Sequence, residues 1–165
     1  YHIIRPFNVA GPRQKPDGGF VLPRFVIAAL TEQPLTVYGD GSSRRAFTHV
    51  ADICDAILTI AKSKITNEIW NIGNPDNEMS IKEMAALVIK ITKDLYPDKN
   101  PKMDFVDPKK LHGGYFAEVV DKVPYIKKIN TLIGWKPKYS ANQVFTETIE
   151  FNAKKVRKGY RFKVS

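Results

Sequence analysis

The sequence predicts an α/β domain, and three observations predict it. Short β-prone segments alternate with amphipathic helical ones along 165 residues. Two serine capping boxes mark helix starts in the second half of the chain. A hydrophobic content of 43% with no repeat at solenoid periods specifies one globular core rather than an array.

The elements follow in order. His2-Ile3-Ile4 is apolar and β-prone and has no turn or capping residue ahead of it, so it reads as a strand belonging to a larger sheet. From Phe20 to Leu30 the apolar residues Val21, Leu22, Phe25, Val26 and Ala29 recur with helical rhythm, and Pro23 suits a first turn. LTVY and AFTHV are strands on either side of the polar loop at Gly39-Asp40-Gly41. The next helix carries Ile53, Ala56, Ile57 and Ile60 on one face, buries Cys54 as an unpaired thiol, and places Asp52 in its first turn, where a carboxylate favours the helix dipole. EIWNIG follows as a strand.

Ser80 with Glu83 forms the first capping box, with Met79 and Met84 as its hydrophobic staple, ahead of a stripe through Leu87, Val88, Ile91 and Leu95. KMDFV is a short strand, Gly113-Gly114 marks a loop, and a helix over Ile126 to Ile133 stops at Gly134. Ser140 with Gln143 repeats the capping box, with Tyr139 and Val144 as staple.

The net charge is +9, of which +6 falls in the last 12 residues on Lys154, Lys155, Arg157, Lys158, Arg161 and Lys163, leaving +3 elsewhere. Such a run is a solvated helix end or a tail rather than a nucleic-acid footprint. Zinc-ligand spacing, a helix-turn-helix signature and an aromatic-basic single-strand platform are all missing from the sequence. No apolar run approaches the roughly 18 residues of a membrane span, and with a single cysteine and no leader pattern the expectation is a soluble cytoplasmic protein.

Residue by residue, little catalytic hardware is visible. Gly18-Gly19 and Gly39-Asp40-Gly41 match no phosphate-loop spacing, and there is no GxSxG elbow. His2, His49 and His112 lack metal-ligand spacing and read as structural or surface histidines; no metal is expected. What remains suits an anionic, aromatic ligand. Of Arg44 and Arg45, at least one can present a planar guanidinium to a phosphate, and Tyr38 can stack on a base.

Taken in order, RPFNVAGPRQ, FVLPRF, LTVYGDGSSRRAFTHVAD, NIGNP and LIGWKPKYS resemble the C-terminal half of the extended short-chain dehydrogenase/reductases. These are the NAD-dependent epimerases, dehydratases and decarboxylases of UDP- and dTDP-sugars, the UDP-glucose 4-epimerase-like enzymes among them. The resemblance runs from Tyr1 to about Phe151. It implies the last strands of a Rossmann-type parallel sheet plus the small α/β substrate-binding domain, with the NAD fingerprint and the catalytic Tyr-x-x-x-Lys pair upstream of Tyr1. The implied organisation is residues 1–19 from the NAD-binding domain, 20–153 for the nucleotide sugar with strands near 45–49 and 68–72 returning to the Rossmann sheet, and a basic tail over 154–165.

The resemblance also implies roles. Pro6 and Phe7 lie beside the nicotinamide of NAD, and Asn8 hydrogen-bonds the diphosphate. Leu22, Thr36 and the rest of LTVY line the base pocket with Tyr38 against the ring, and Arg45, at the arginine of the family's T-R-x-F motif, binds the diphosphate. One departure from the family is Lys122, which stands where the decarboxylase-like and many epimerase-like members have the arginine of R-x-P. The charge stays but the fork is lost, and since the resemblance gives that arginine a direct part in decarboxylation, UDP-sugar 4-epimerisation stands ahead of UDP-glucuronate decarboxylation, with dTDP-sugar 4,6-dehydration as a further alternative. The implied enzyme is a homodimer at full length, and this chain alone is expected to be inactive. A stand-alone nucleotide-sugar or nucleic-acid binding module is the reading from a different class.

Overall fold

The computed structural model describes residues 1–107, 121–160 and 162. The elements run β1 (His2–Pro6), β2 (Val9–Ala10), α1 (Val21–Leu30), β3 (Leu35–Tyr38), β4 (Arg44–Ala46), β5 (Thr48–His49), α2 (Val50–Lys62) and β6 (Glu68–Ile72). A short 3-10 turn at Pro75–Asn77 leads into β7 (Glu78–Ser80), α3 (Ile81–Leu95), β8 (Met103–Val106), β9 (Asp121–Lys122), α4 (Lys127–Ile133) and α5 (Ala141–Arg157). The expected loop at Gly113-Gly114, along with His112, Arg161 and Lys163, lies outside the described residues.

Parallel ladders dominate, as the α/β reading requires. β1 pairs in parallel with β6, β2 with β5, and β3 with β8, while β4 sits between antiparallel β7 and parallel β9. The single strand expected over AFTHV is instead broken at Phe47, because its two ends pair with different partners.

Two apolar clusters interleave along the chain. In the first, strand alternation puts Ile4, Trp70 and Ile72 on one face of the β1–β6 ladder, where they meet Ile53, Ala56 and Ile60 of α2 and Ile129 of α4. Trp70 is fully buried, and its indole N–H donates to His2 Nδ1 at 3.0 Å. The second cluster forms around α1, which is covered by α3, α5 and β3 and buries nearly every side chain from Leu22 to Leu30.

Both capping boxes form, with the Ser80 and Ser140 hydroxyls accepting from the N–H groups of Glu83 and Gln143. Gly134 takes φ 70° to end α4. Three helix-face expectations are corrected. Cys54 is exposed, not buried, and Ile57 is 42% exposed. The reason is geometric: Ile53, Ala56 and Ile60 of α2 join the buried cluster with Trp70 and Ile72 of β6, whereas Ile57 lies at the edge of that stripe and Cys54 further round the helix. Leu95, in the last turn of α3, is likewise exposed. The boundary drawn at residue 154 falls inside α5, whose last turn holds Lys154, Lys155 and Arg157 where cations complement the dipole. Among the described residues, no helix is long and apolar enough to cross a membrane.

Gly73 closes the junction between β6 and the segment before α4. A Cβ there would sit 2.5 Å from Pro124 Cγ and 3.2 Å from Phe7 Cβ, and a proline ring cannot swing aside. Gly73→Ala is therefore expected to cost about 1 to 2 kcal/mol of stability through overpacking, read as a lower midpoint in urea unfolding.

Candidate functional site

A cavity of about 890 Å³ opens between the loop that follows β1, the start of α1 and the β4–β5 segment. Its wall takes Pro6, Asn8, Leu22 and Arg45, four of the residues expected from the sequence. Phe7, Thr36, Tyr38 and Lys122, the other four, do not line it.

Residue by residue the two arginines read alike and the resemblance favours Arg45; strand alternation along β4 sends their side chains to opposite sides, so only one guanidinium can face the cavity. Arg44 turns away: its Nε donates to Glu78 Oε1 at 2.5 Å, and Nη1 lies 3.7 Å from Glu83 Oε2. The hydrogen bond to Glu78 raises the Arg44 pKa further above its ordinary value. Glu83 is held below the usual carboxylate range, first by the Ser80 backbone N–H and then by the Ser80 hydroxyl. Arg45 turns toward the cavity, with Nη1 donating to the Arg44 carbonyl at 2.8 Å.

Asn8, expected at the diphosphate, is also held by the backbone around it. Its backbone is at φ 36° and its carbonyl accepts from Thr48 N at 3.1 Å. Both hydrogens of its side-chain amide are engaged, donating from Nδ2 to the carbonyls of Ala46 and Lys122 at 3.2 Å each. Asn8 thus clamps the loop after β1 onto β4 and β9, and only its carbonyl oxygen remains for a ligand, which is the wrong polarity for a diphosphate.

The remaining positions are placed as follows. Phe7 donates its N–H to the Ile72 carbonyl and packs at the Gly73 junction. Lys122 is exposed on β9, in register with Arg45. Thr36 and Tyr38 sit on β3 beside Arg24, whose guanidinium carbon is 5.1 Å from the Tyr38 ring centre.

His49, read from the sequence as a structural or surface histidine, lines the cavity, as do Gln14 and Gly11, which sequence reasoning did not single out. His49 is buried; its Nδ1 accepts from Ala51 N at 3.0 Å, so Nε2 carries the hydrogen that faces Glu147 Oε2 at 3.2 Å. The ring stacks on Tyr139 at 4.1 Å. Gln14 donates from Nε2 to the Val9 carbonyl, which fixes the amide orientation. Gly11 stands at φ 141°, and a Cβ there would meet Val50 Cγ1 at 3.1 Å, a signal that its invisible role is to keep the floor open.

A buried polar network ties this wall to the core beneath. Asp52 accepts from the backbone N–H groups of Lys138 and Tyr139 at 2.9 and 3.2 Å. Asn74 and Asn77 both donate to the Tyr139 carbonyl at 2.9 Å, and Thr48 Oγ1 accepts from Asn74 N. Among the described residues, no group of three or more His, Cys, Asp or Glu could hold a metal ion.

Residues 1–73 match the NAD dependent epimerase/dehydratase family. A UDP-N-acetyl-alpha-D-glucosaminuronate decarboxylase of Bacillus cytotoxicus is 36% identical over 151 residues, which is 90% of this chain and 45% of that protein. The UDP-glucose 4-epimerase of Thermotoga maritima, solved with UDP-glucose, superposes with a TM-score of 0.79 at 29% identity over 94% of this chain and 47% of its own. A UDP-glucuronic acid 4-epimerase from Bacillus cereus, solved with UDP-glucuronic acid and NAD, gives 0.75 at 26% over 93% and 45%. The chain spans less than half the length of each.

Proposed function

The chain is related to the NAD-dependent epimerase/dehydratase family, and from that premise we propose that it forms the nucleotide-sugar-binding part of an enzyme that epimerises a UDP-linked sugar at C4. The observation that carries this reading is Arg45, turned into a cavity of about 890 Å³ while Arg44 is committed to Glu78 and Glu83. A planar cation in a partly apolar cleft suits two phosphates, whose desolvation a bidentate guanidinium offsets better than an ammonium. On this reading β1, β2, β5 and β6 belong to the cofactor-binding sheet, and α1, β3, α3 and α5 to the substrate side.

The same cavity offers NAD an apolar stretch of wall. Pro6, Val9 and Ala10 line it there, and the missing side chain at Gly11 leaves room that a Cβ would fill against Val50. Of the two residues expected beside the nicotinamide, Pro6 is the one with a wall to offer. When bound, NAD supplies the hydride acceptor of the reaction. This chain's residues position and shield: Arg45 fixes the diphosphate, Leu22 and Phe47 exclude water, and His49, held by Ala51 N and Glu147, keeps the cavity floor in place.

A second reading, decarboxylation of a UDP-uronate, is favoured by the 36% identical decarboxylase. Against it stands Lys122, a point charge exposed on β9 and outside the cavity lining. Proton NMR of UDP-glucose and UDP-glucuronate incubated with the protein at its natural length decides between them. The 4-epimer with all carbons retained is the expected product; carbon dioxide and a UDP-pentose would select decarboxylation. No Tyr-x-x-x-Lys occurs among the 165 residues, so the purified chain is expected to turn over no UDP- or dTDP-sugar even with NAD supplied.

A further inference from the structure

We propose that Arg13 selects a nucleotide sugar that carries a carboxylate at C5, a UDP-hexuronate, over the neutral hexose. The inference rests on the nucleotide-sugar reading above and adds the class of sugar to it.

Arg13 and Arg45 both line the cavity, and among the described residues no Asp or Glu does. Arg13 stands just past β2, in a tight turn closed by Gln14 N–H donating to the Gly11 carbonyl at 3.5 Å. Pro12 takes the second position of that turn and Arg13 the third, at φ 72°, as in a type II turn. The third position of such a turn favours glycine or asparagine, so the backbone gives no reason for an arginine. The turn is also anchored, since Gln14 Nε2 donates to the Val9 carbonyl at 3.1 Å. Arg13 is exposed, and its side chain has no hydrogen bond or ion pair with another described residue. A guanidinium with all its donors unused is thus carried at the cavity by a fixed turn.

The chemistry of the sugar says which group meets it. In a pyranose, C1 and C4 lie at opposite ends of the ring, and the C5 substituent is next to C4. With Arg45 on the diphosphate attached to C1, and C4 turned to the apolar stretch at Pro6, Val9 and Ala10, the C5 substituent faces the wall that continues from Ala10 through Gly11 to Arg13. A carboxylate at that position accepts two parallel hydrogen bonds from a guanidinium and brings the opposite charge. The hydroxymethyl group of a neutral hexose offers one oxygen and no charge. Lys122 lies outside the cavity lining, and the Nε2 hydrogen of His49 is committed to Glu147, so Arg13 is the cation left for this group.

The test is calorimetric titration of UDP-glucuronate, UDP-glucose and UDP into the natural-length protein and into Arg13→Gln, Arg13→Gly and Arg13→Lys. The unsubstituted protein is expected to bind UDP-glucuronate about tenfold or more tightly than UDP-glucose. In Arg13→Gln, and in Arg13→Gly, which suits the backbone of this turn, the preference should fall below about threefold with UDP affinity unchanged. Arg13→Lys should keep part of the preference, because the charge stays and the fork is lost. An equal loss for all three ligands in the variants would put Arg13 on the diphosphate and overturn the proposal, and a preference that survives both neutral variants overturns it as well. Absence of UDP binding by the unsubstituted protein removes the nucleotide-sugar reading along with this one, whereas UDP binding with no preference between the two sugars removes only this one.

Discussion

Arg45→Ala is expected to weaken UDP binding by about 10- to 150-fold, the loss of a charge-assisted, partly desolvated interaction of about 1.5 to 3 kcal/mol. The guanidinium faces the cavity from β4 and is oriented by its own bond to the Arg44 carbonyl. Arg45→Lys should recover part of the loss, since an ammonium keeps the charge but cannot satisfy two phosphate oxygens in one plane. Arg44→Ala is the internal control. Its partners are Glu78 and Glu83, with side chains 35% and 62% exposed, so its removal should leave UDP affinity within about twofold and stability little changed. Titration of UDP into the three variants checks all of this. Damage from Arg44→Ala with normal binding by Arg45→Ala would mean that the strand presents the other face, and wild-type binding by both would rule out a diphosphate at this loop.

Asp52→Ala is expected to destabilise the protein by about 2 kcal/mol, because two part-buried backbone N–H groups lose their buried acceptor at once. Asp52 is 1% exposed, and its two oxygens hold Lys138 N and Tyr139 N. The segment they hold is also fixed from Asn74 and Asn77 through the Tyr139 carbonyl, and Tyr139 in turn stacks on His49 at the cavity floor. Asp52→Asn should cost roughly half as much, since the amide retains one acceptor oxygen but points its NH₂ at a donor. Urea unfolding of the three proteins gives the values, and a loss under about 1 kcal/mol for the alanine variant would show that those N–H groups reach water. The UDP affinity of the folded Asp52→Ala fraction should also fall, because the loosened segment carries the His49 side of the wall.

The sequence by itself determined the elements whose causes are local. LTVY became Leu35–Tyr38 without a shift, both serine boxes capped the helices they announce, and Gly134 ended α4 in the left-handed conformation. Each of these depends on residues within about four positions of one another, a range over which hydrogen bonds and backbone preferences are legible. The order of motifs likewise gave the resemblance to the NAD dependent epimerase/dehydratase family, whose model matches residues 1–73.

Tertiary structure decided what depends on distant partners. Arg44 and Arg45 are chemically alike, and the partners that hold Arg44, Glu78 on β7 and Glu83 on α3, became visible only when β4 was paired. Asp52 reads as a dipole-matching residue in a first turn, yet its larger task is to hold residues 86 and 87 positions away. Asn8 reads as a ligand donor until Ala46 and Lys122 take both its hydrogens. Cys54 and Ile57 share the apolar pattern of α2, but only the stripe through Ile53, Ala56 and Ile60 finds β6 to pack against. A residue type fixes what a side chain can bond to; which partner it meets is set by chain segments far away in sequence, and that is information no local pattern carries.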